Sequence, residues 1–129
     1  MQPAPTASRG LERLYALTAA LLFTHEIDAA YWHEWELFHL PGALPGFLAL
    51  HVPLLLLAFW GHRQLVVGAR AGLWASLALA AAGLFALIVH GGLLLAGHAE
   101  FRAAASVGLL AAVGAVSLAL GVRVLRVLR

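Results

Sequence analysis

A chain of 129 residues that is 63% hydrophobic, with a mean hydropathy of +0.91, reads as one domain far more apolar than soluble proteins are. Its cationic side chains are eight arginines with no lysine, which leaves a Schiff base no anchor, and it has no cysteine for disulfides, thiolate metal ligands, iron–sulfur clusters or covalent haem attachment. The sequence pI near 9.9 does not point to a nucleic-acid partner, because the arginines sit at the ends of apolar runs, where positive charge sets membrane orientation.

Residues 1–10 are polar and proline-containing and are expected to form a flexible N-terminal segment. A first membrane span is predicted over 11–38. Its purely apolar part, residues 14–23, falls well short of the ~20 residues a crossing needs, so the span must take in His25, Glu26 and Asp28. A signal peptide is the competing reading, but no A-x-A cleavage site precedes the polar cluster. Pro41, Gly42, Pro45 and Gly46 make the next turn.

A second span over 47–67 carries His51 and Pro53. The proline frees a carbonyl one turn back, and its ordinary role is a membrane-helix kink. Arg63 and Arg70 bracket the following turn, with His62 interfacial. A third span over 73–97 holds His90 near its far end. His98, Glu100 and Arg102 form a short connection to a fourth span over 103–122, and residues 123–129 are a basic cytoplasmic tail. The predicted fold is all-α, an integral membrane four-helix bundle. Seven arginines then share one side and only Arg102 the other, which makes both termini cytoplasmic in a bacterial inner membrane. The rows Ala104-Gly108-Ala112 and Gly72-Ser76-Ala80 are expected to pack helices together.

The stretch 24–39, THEIDAAYWHEWELFH, concentrates the ionisable groups. Such groups inside a span are costly, so they normally face protein, water or an ion and mark a site. With these spans, His25, Glu26, His51 and His90 come to one depth within about one helical turn. His33, Glu36, His98 and Glu100 are expected to form a second, wetter layer, at the same outer level as Glu34 and His39. At about 100° per residue, His25, Glu26, His33 and Glu36 share one arc of the first helix, flanked by Asp28 and His39, while Glu34 points elsewhere and is left out. Tyr31, Trp32 and Trp35 suit the membrane–water interface. Thr24, Ser106 and Ser117 are expected to bond back to their own helices.

Imidazole and carboxylate from separate helices suit a divalent metal such as Zn, Fe or Mn, with His25, Glu26, His51 and His90 as ligands and Asp28 orienting His25. The leading expectation is therefore a metal-binding membrane protein, extending to an enzyme on a lipid or other apolar substrate in which Glu26 or Asp28 is the catalytic proton carrier. The spacing is not that of a zincin helix, since Ala29 and Ala30 stand where the second histidine would fall. The first alternative is a metal-free proton or ion pathway, or a lipid isomerase using the same groups as acid and base. Another is a structural or accessory subunit of a larger membrane complex, or a homo-oligomer, with the polar groups as interhelical glue. A bis-histidine haem through His51 and His90 is a minor option.

His25-Glu26-x-Asp28-Ala29 followed by Glu34-Trp35 resembles an uncharacterised family of small bacterial four-helix membrane proteins with an HExDA…EW pattern. More loosely the chain resembles the HXXEE family, although Trp35 separates Glu34 from Glu36 here. The resemblance implies no activity. It does imply that Glu34 and Trp35 belong to the motif with His25, Glu26 and Asp28, which sets it against the angular argument that leaves Glu34 out. In site type alone, intramembrane histidine and carboxylate are also analogous to sterol-isomerase-like bundles.

Overall fold

The computed structural model describes residues 9–98 and 102–129, and among them it is all-α, with no strand. The helices are α1 (Arg9–Tyr31), the single-turn α2 (Glu34–Leu37), α3 (Ala43–Val66), α4 (Arg70–Leu95) and α5 (Ala104–Leu128). Leucine- and alanine-rich runs favour helix throughout. Pro53 is absorbed inside α3 without ending it. α3, α4 and α5 are each long and apolar enough to cross a membrane. Much of their apolar surface points outward, as at Leu56, Phe59, Phe85, Ile88 and Leu118.

The helix expected over 11–38 is interrupted. α1 ends at Tyr31, and His33 takes a left-handed conformation (φ 54°) that leads into α2. Left-handed backbone is unfavourable for a side chain with a Cβ, so packing must compensate for it. Trp35 supplies that packing. It is buried beside Ala29 and Phe47, its ring 5.6 Å from that of Phe47. Trp35 is therefore a core residue and not the interface anchor its composition suggested, whereas Tyr31 is exposed.

α5 packs against α1 and α4, and α3 packs chiefly on α4. The main core joins Leu11, Tyr15 and Leu22 of α1 to Leu65, Leu79, Val113, Leu120 and Val124. α3 and α4 approach so closely near their connection that a Cβ at Gly72 would collide with the backbone of Leu65. Gly72, Ser76 and Ala80 are all buried, as the packing row requires. The α5 row is different. Ala104 and Gly108 are exposed, and the buried face of α5 runs instead through Ser106, Leu110, Val113, Gly114 and Ser117.

Polar contacts fix which helix ends lie together. Glu26 near the end of α1 meets His51 near the start of α3, and Asp28 meets Ser106 at the start of α5. Glu34 of α2 meets His90 near the end of α4. Among the described residues, that end of the molecule holds the two buried histidines, His25 and His90, with Glu26, Asp28 and Glu34 beside them.

Candidate functional site

His51 is held through both ring nitrogens. Nδ1 lies 2.7 Å from the carbonyl of Phe47, and Nε2 lies 2.8 Å from Oε2 of Glu26. A carbonyl only accepts, so Nδ1–H must be the donor there. The contact between Nε2 and Oε2 then requires one further hydrogen, carried by the ring or by the carboxyl. Imidazolium with carboxylate and imidazole with carboxylic acid are both uncharged as a pair. Each form holds one transferable proton.

α4 and α2 repeat this arrangement. His90 Nδ1–H donates to the carbonyl of Ala86 at 2.9 Å, and Nε2 lies 3.2 Å from Oε1 of Glu34. In both cases the anchoring carbonyl is one turn back on the histidine's own helix, so the helix itself selects the tautomer and aims Nε2 outward. The His90–Glu34 pair is the more buried, with side chains 6% and 13% exposed, against 17% and 27% for His51–Glu26.

Glu26, Glu34, His51 and His90 all line one cavity of about 710 Å³ between α1, α3 and α4. The rest of its wall is apolar, with Leu54 and Leu57 from α3 and Ala78, Ala82 and Phe85 from α4. Tyr15 borders the far end, its hydroxyl donating to the Ala58 carbonyl at 2.9 Å. Two proton-carrying pairs thus stand at the head of a greasy chamber.

The opposite side of α1 carries a second polar group. Asp28 is about 200° around the helix from Glu26. It accepts a hydrogen bond from the Ser106 hydroxyl at 2.9 Å, and its Oδ2 is buried without a partner. Asp28 does not line the cavity. His25 is 1% exposed and meets His90 ring edge to ring face, with centroids 4.5 Å apart and planes at 86°. Neither of its ring nitrogens has a hydrogen-bond partner.

The structure therefore brings Glu26 to His51 and His25 to His90, while the hydrogen bonds just described already occupy both ring nitrogens of His51 and His90. Among the described residues, no three His, Asp or Glu side chains are grouped so that they could hold a metal ion. The second layer disperses. His33 and Glu36 face outward, 61% and 72% exposed, with 3.9 Å between Nδ1 and Oε1. His39 is a left-handed turn residue, and the amide of His98 bonds to the Leu93 carbonyl after α4. Glu100 lies outside the described residues, as do residues 1–8 of the N-terminal segment.

Angular reasoning missed Glu34, and the Glu34-Trp35 motif was the signal that could have found it. Of the three hydroxyls expected to bond back, Thr24 does so, to Ala20. Ser106 bonds across to α1 instead, and Ser117 Oγ is buried without a partner, against Gly83.

No curated protein and no solved structure matches the chain. One family model matches residues 11–127, which is nearly the whole length. The chain belongs to that family, a family of unknown function (DUF6713).

Proposed function

We propose that this protein is a multi-pass protein of a bacterial cytoplasmic membrane that carries out proton-transfer chemistry, of the isomerase type, on an apolar lipid held in the cavity. In this reading α1, α3, α4 and α5 form a four-span bundle with both termini cytoplasmic, as the arginine distribution favours. The carrying observation is the pair of uncharged His–carboxylate units lining one apolar cavity. Carboxylates so surrounded need a partner that keeps their charge compensated, and a shared proton does this.

The step balances without a redox partner. One pair donates its shared proton to one carbon of a substrate double bond, and the other removes a proton from the allylic carbon attached to the opposite end of that bond. The double bond moves, one pair is left short of a proton and the other gains one, and proton return through water resets both. The test is to incubate the reconstituted protein with a neutral-lipid extract in D2O and follow the lipids by mass spectrometry. Deuterium gain with double-bond migration in one lipid class, lost in Glu26→Gln and Glu34→Gln, is the expected result. A folded wild-type protein that exchanges nothing overturns the reading.

A metal-binding reading has its own observation, the two unpartnered ring nitrogens of buried His25. A divalent ion such as Zn, Fe or Mn bound there would recruit Glu26, His51 or His90 only by breaking their present hydrogen bonds. Elemental analysis of protein never exposed to chelator, beside His25→Ala, tests it. Near-stoichiometric metal in the wild type alone supports it, and metal in neither excludes it.

A further inference from the structure

We infer that the end of the bundle opposite the polar site is a docking surface for anionic phospholipids, whose phosphates seat at Arg63 on α3 and Arg70 on α4. The inference goes beyond the cavity chemistry and rests only on the membrane-spanning arrangement.

The helix order places seven arginines, within residues 9–13, 63–70 and 123–129, at the end away from Glu26 and His51. All seven are exposed, and among the described residues none of them is in an ion pair. Glu12 is the only acidic side chain at that end. Orientation in a membrane asks only for positive charge, which lysine supplies as well. This chain uses arginine alone, whose planar fork can give two parallel hydrogen bonds to one phosphate.

Two of the seven have the neighbours that a phospholipid needs. On α4, Arg70, Trp74, Phe85 and Ile88 fall within about 60° of arc. This face lies opposite Gly72, where α4 meets α3, and no other helix covers it: Trp74, Phe85 and Ile88 are 57%, 68% and 72% exposed. From the helix end inward it reads guanidinium, indole, then bare hydrocarbon. A lipid leaflet has the same order, with phosphate outermost, then the interface that indole favours, then acyl chain. Trp74 and Phe85 are about 16 Å apart along the helix, close to the ~15 Å of hydrocarbon in one leaflet. On α3, Arg63, Trp60 and Leu56 share an arc of about 60° and are exposed in the same order. The arginines of α5 differ, because that helix has no tryptophan.

The experiment measures how spin-labelled phosphatidylglycerol and spin-labelled phosphatidylcholine associate with the full chain in phosphatidylcholine vesicles. The wild type should hold phosphatidylglycerol about fivefold over phosphatidylcholine, the factor expected of one cation beside a lipid phosphate. The preference should fall in about 0.5 M salt. Arg63→Gln/Arg70→Gln should lose most of it, and Arg63→Lys/Arg70→Lys should lose an intermediate part. Arg123→Gln/Arg126→Gln removes the same charge from α5 and should lose little. Helicity and melting should be unchanged in all three, since every altered side chain is exposed. Equal association of the two lipids with the wild type overturns the inference. Equal loss in the two glutamine pairs also overturns it, because the attraction would then belong to the diffuse field of a basic end and not to these two faces. Displacement of the labelled lipid by inorganic phosphate at about 10 mM overturns it as well, by making a free anion the occupant.

Discussion

Glu26 and His51 meet at 2.8 Å across the junction of α1 and α3, on the face of α1 turned away from Asp28. That contact ties the loosest of the long helices to the rest of the molecule at the head of the cavity, and it makes one transferable proton part of the fold. Its removal has a structural and a chemical consequence that can be told apart.

Breaking the pair from one side should cost more than removing it whole. Glu26→Ala is expected to destabilise by about 2 kcal/mol, because the second nitrogen of His51 loses its partner in an apolar setting. The double variant Glu26→Leu/His51→Leu should recover most of that loss while remaining inactive in deuterium exchange. Unfolding in mixed detergent gives the stability, and a double variant weaker than the sum of both single variants contradicts this account.

Ser106→Ala should lower stability by about 1 kcal/mol and leave lipid binding and exchange intact. The hydroxyl bonds to Asp28 on the α5 side of α1, away from the cavity. Asp28→Asn keeps an oxygen for the same hydroxyl and should be milder than Asp28→Ala. An effect of Ser106→Ala on binding without one on stability would show that the α5 side communicates with the cavity.

His25→Leu distinguishes packing from ligation. The ring is buried with both nitrogens unpartnered, so an apolar side chain of similar volume removes an uncompensated polar group. The expected outcome is unchanged or higher stability, by up to about 1 kcal/mol. A large loss of stability together with loss of bound metal would instead support ligation by His25.

Glycine substitutions should divide by position. A Cβ at Gly61 would come within 2.5 Å of the Tyr15 hydroxyl and 2.6 Å of Ala75 Cβ, where α1, α3 and α4 converge. Gly61→Ala is therefore expected to cost about 1–3 kcal/mol and to disturb the Tyr15 end of the cavity. Gly91→Ala meets open space within a helix and should be neutral or stabilising by about 0.5–1 kcal/mol. Melting curves of the two variants side by side check the contrast.

Much of this protein is legible in one dimension. Apolar runs of spanning length separated by glycine, proline and arginine announce an all-α chain with three strongly apolar helices, and the density of acidic and imidazole groups in 24–39 marks where the polar end lies. Depth can be counted too. A rise of about 1.5 Å per residue is constant, so Glu26, His51 and His90 could be brought to one level from chain order alone.

Direction is another matter, because angular phase accumulates along a helix only while the helix is unbroken. Past Tyr31 it is broken by the left-handed His33 and the burial of Trp35, and every angle extrapolated beyond that point is lost. Glu34 turns onto His90, while His33 and Glu36 turn outward. Which carboxylate serves which histidine, that Asp28 belongs to α5 and not to the cavity, and that His25 stands unpartnered were all decided by tertiary packing. They depend on where neighbouring helices come to rest, and a local repeat carries no record of that.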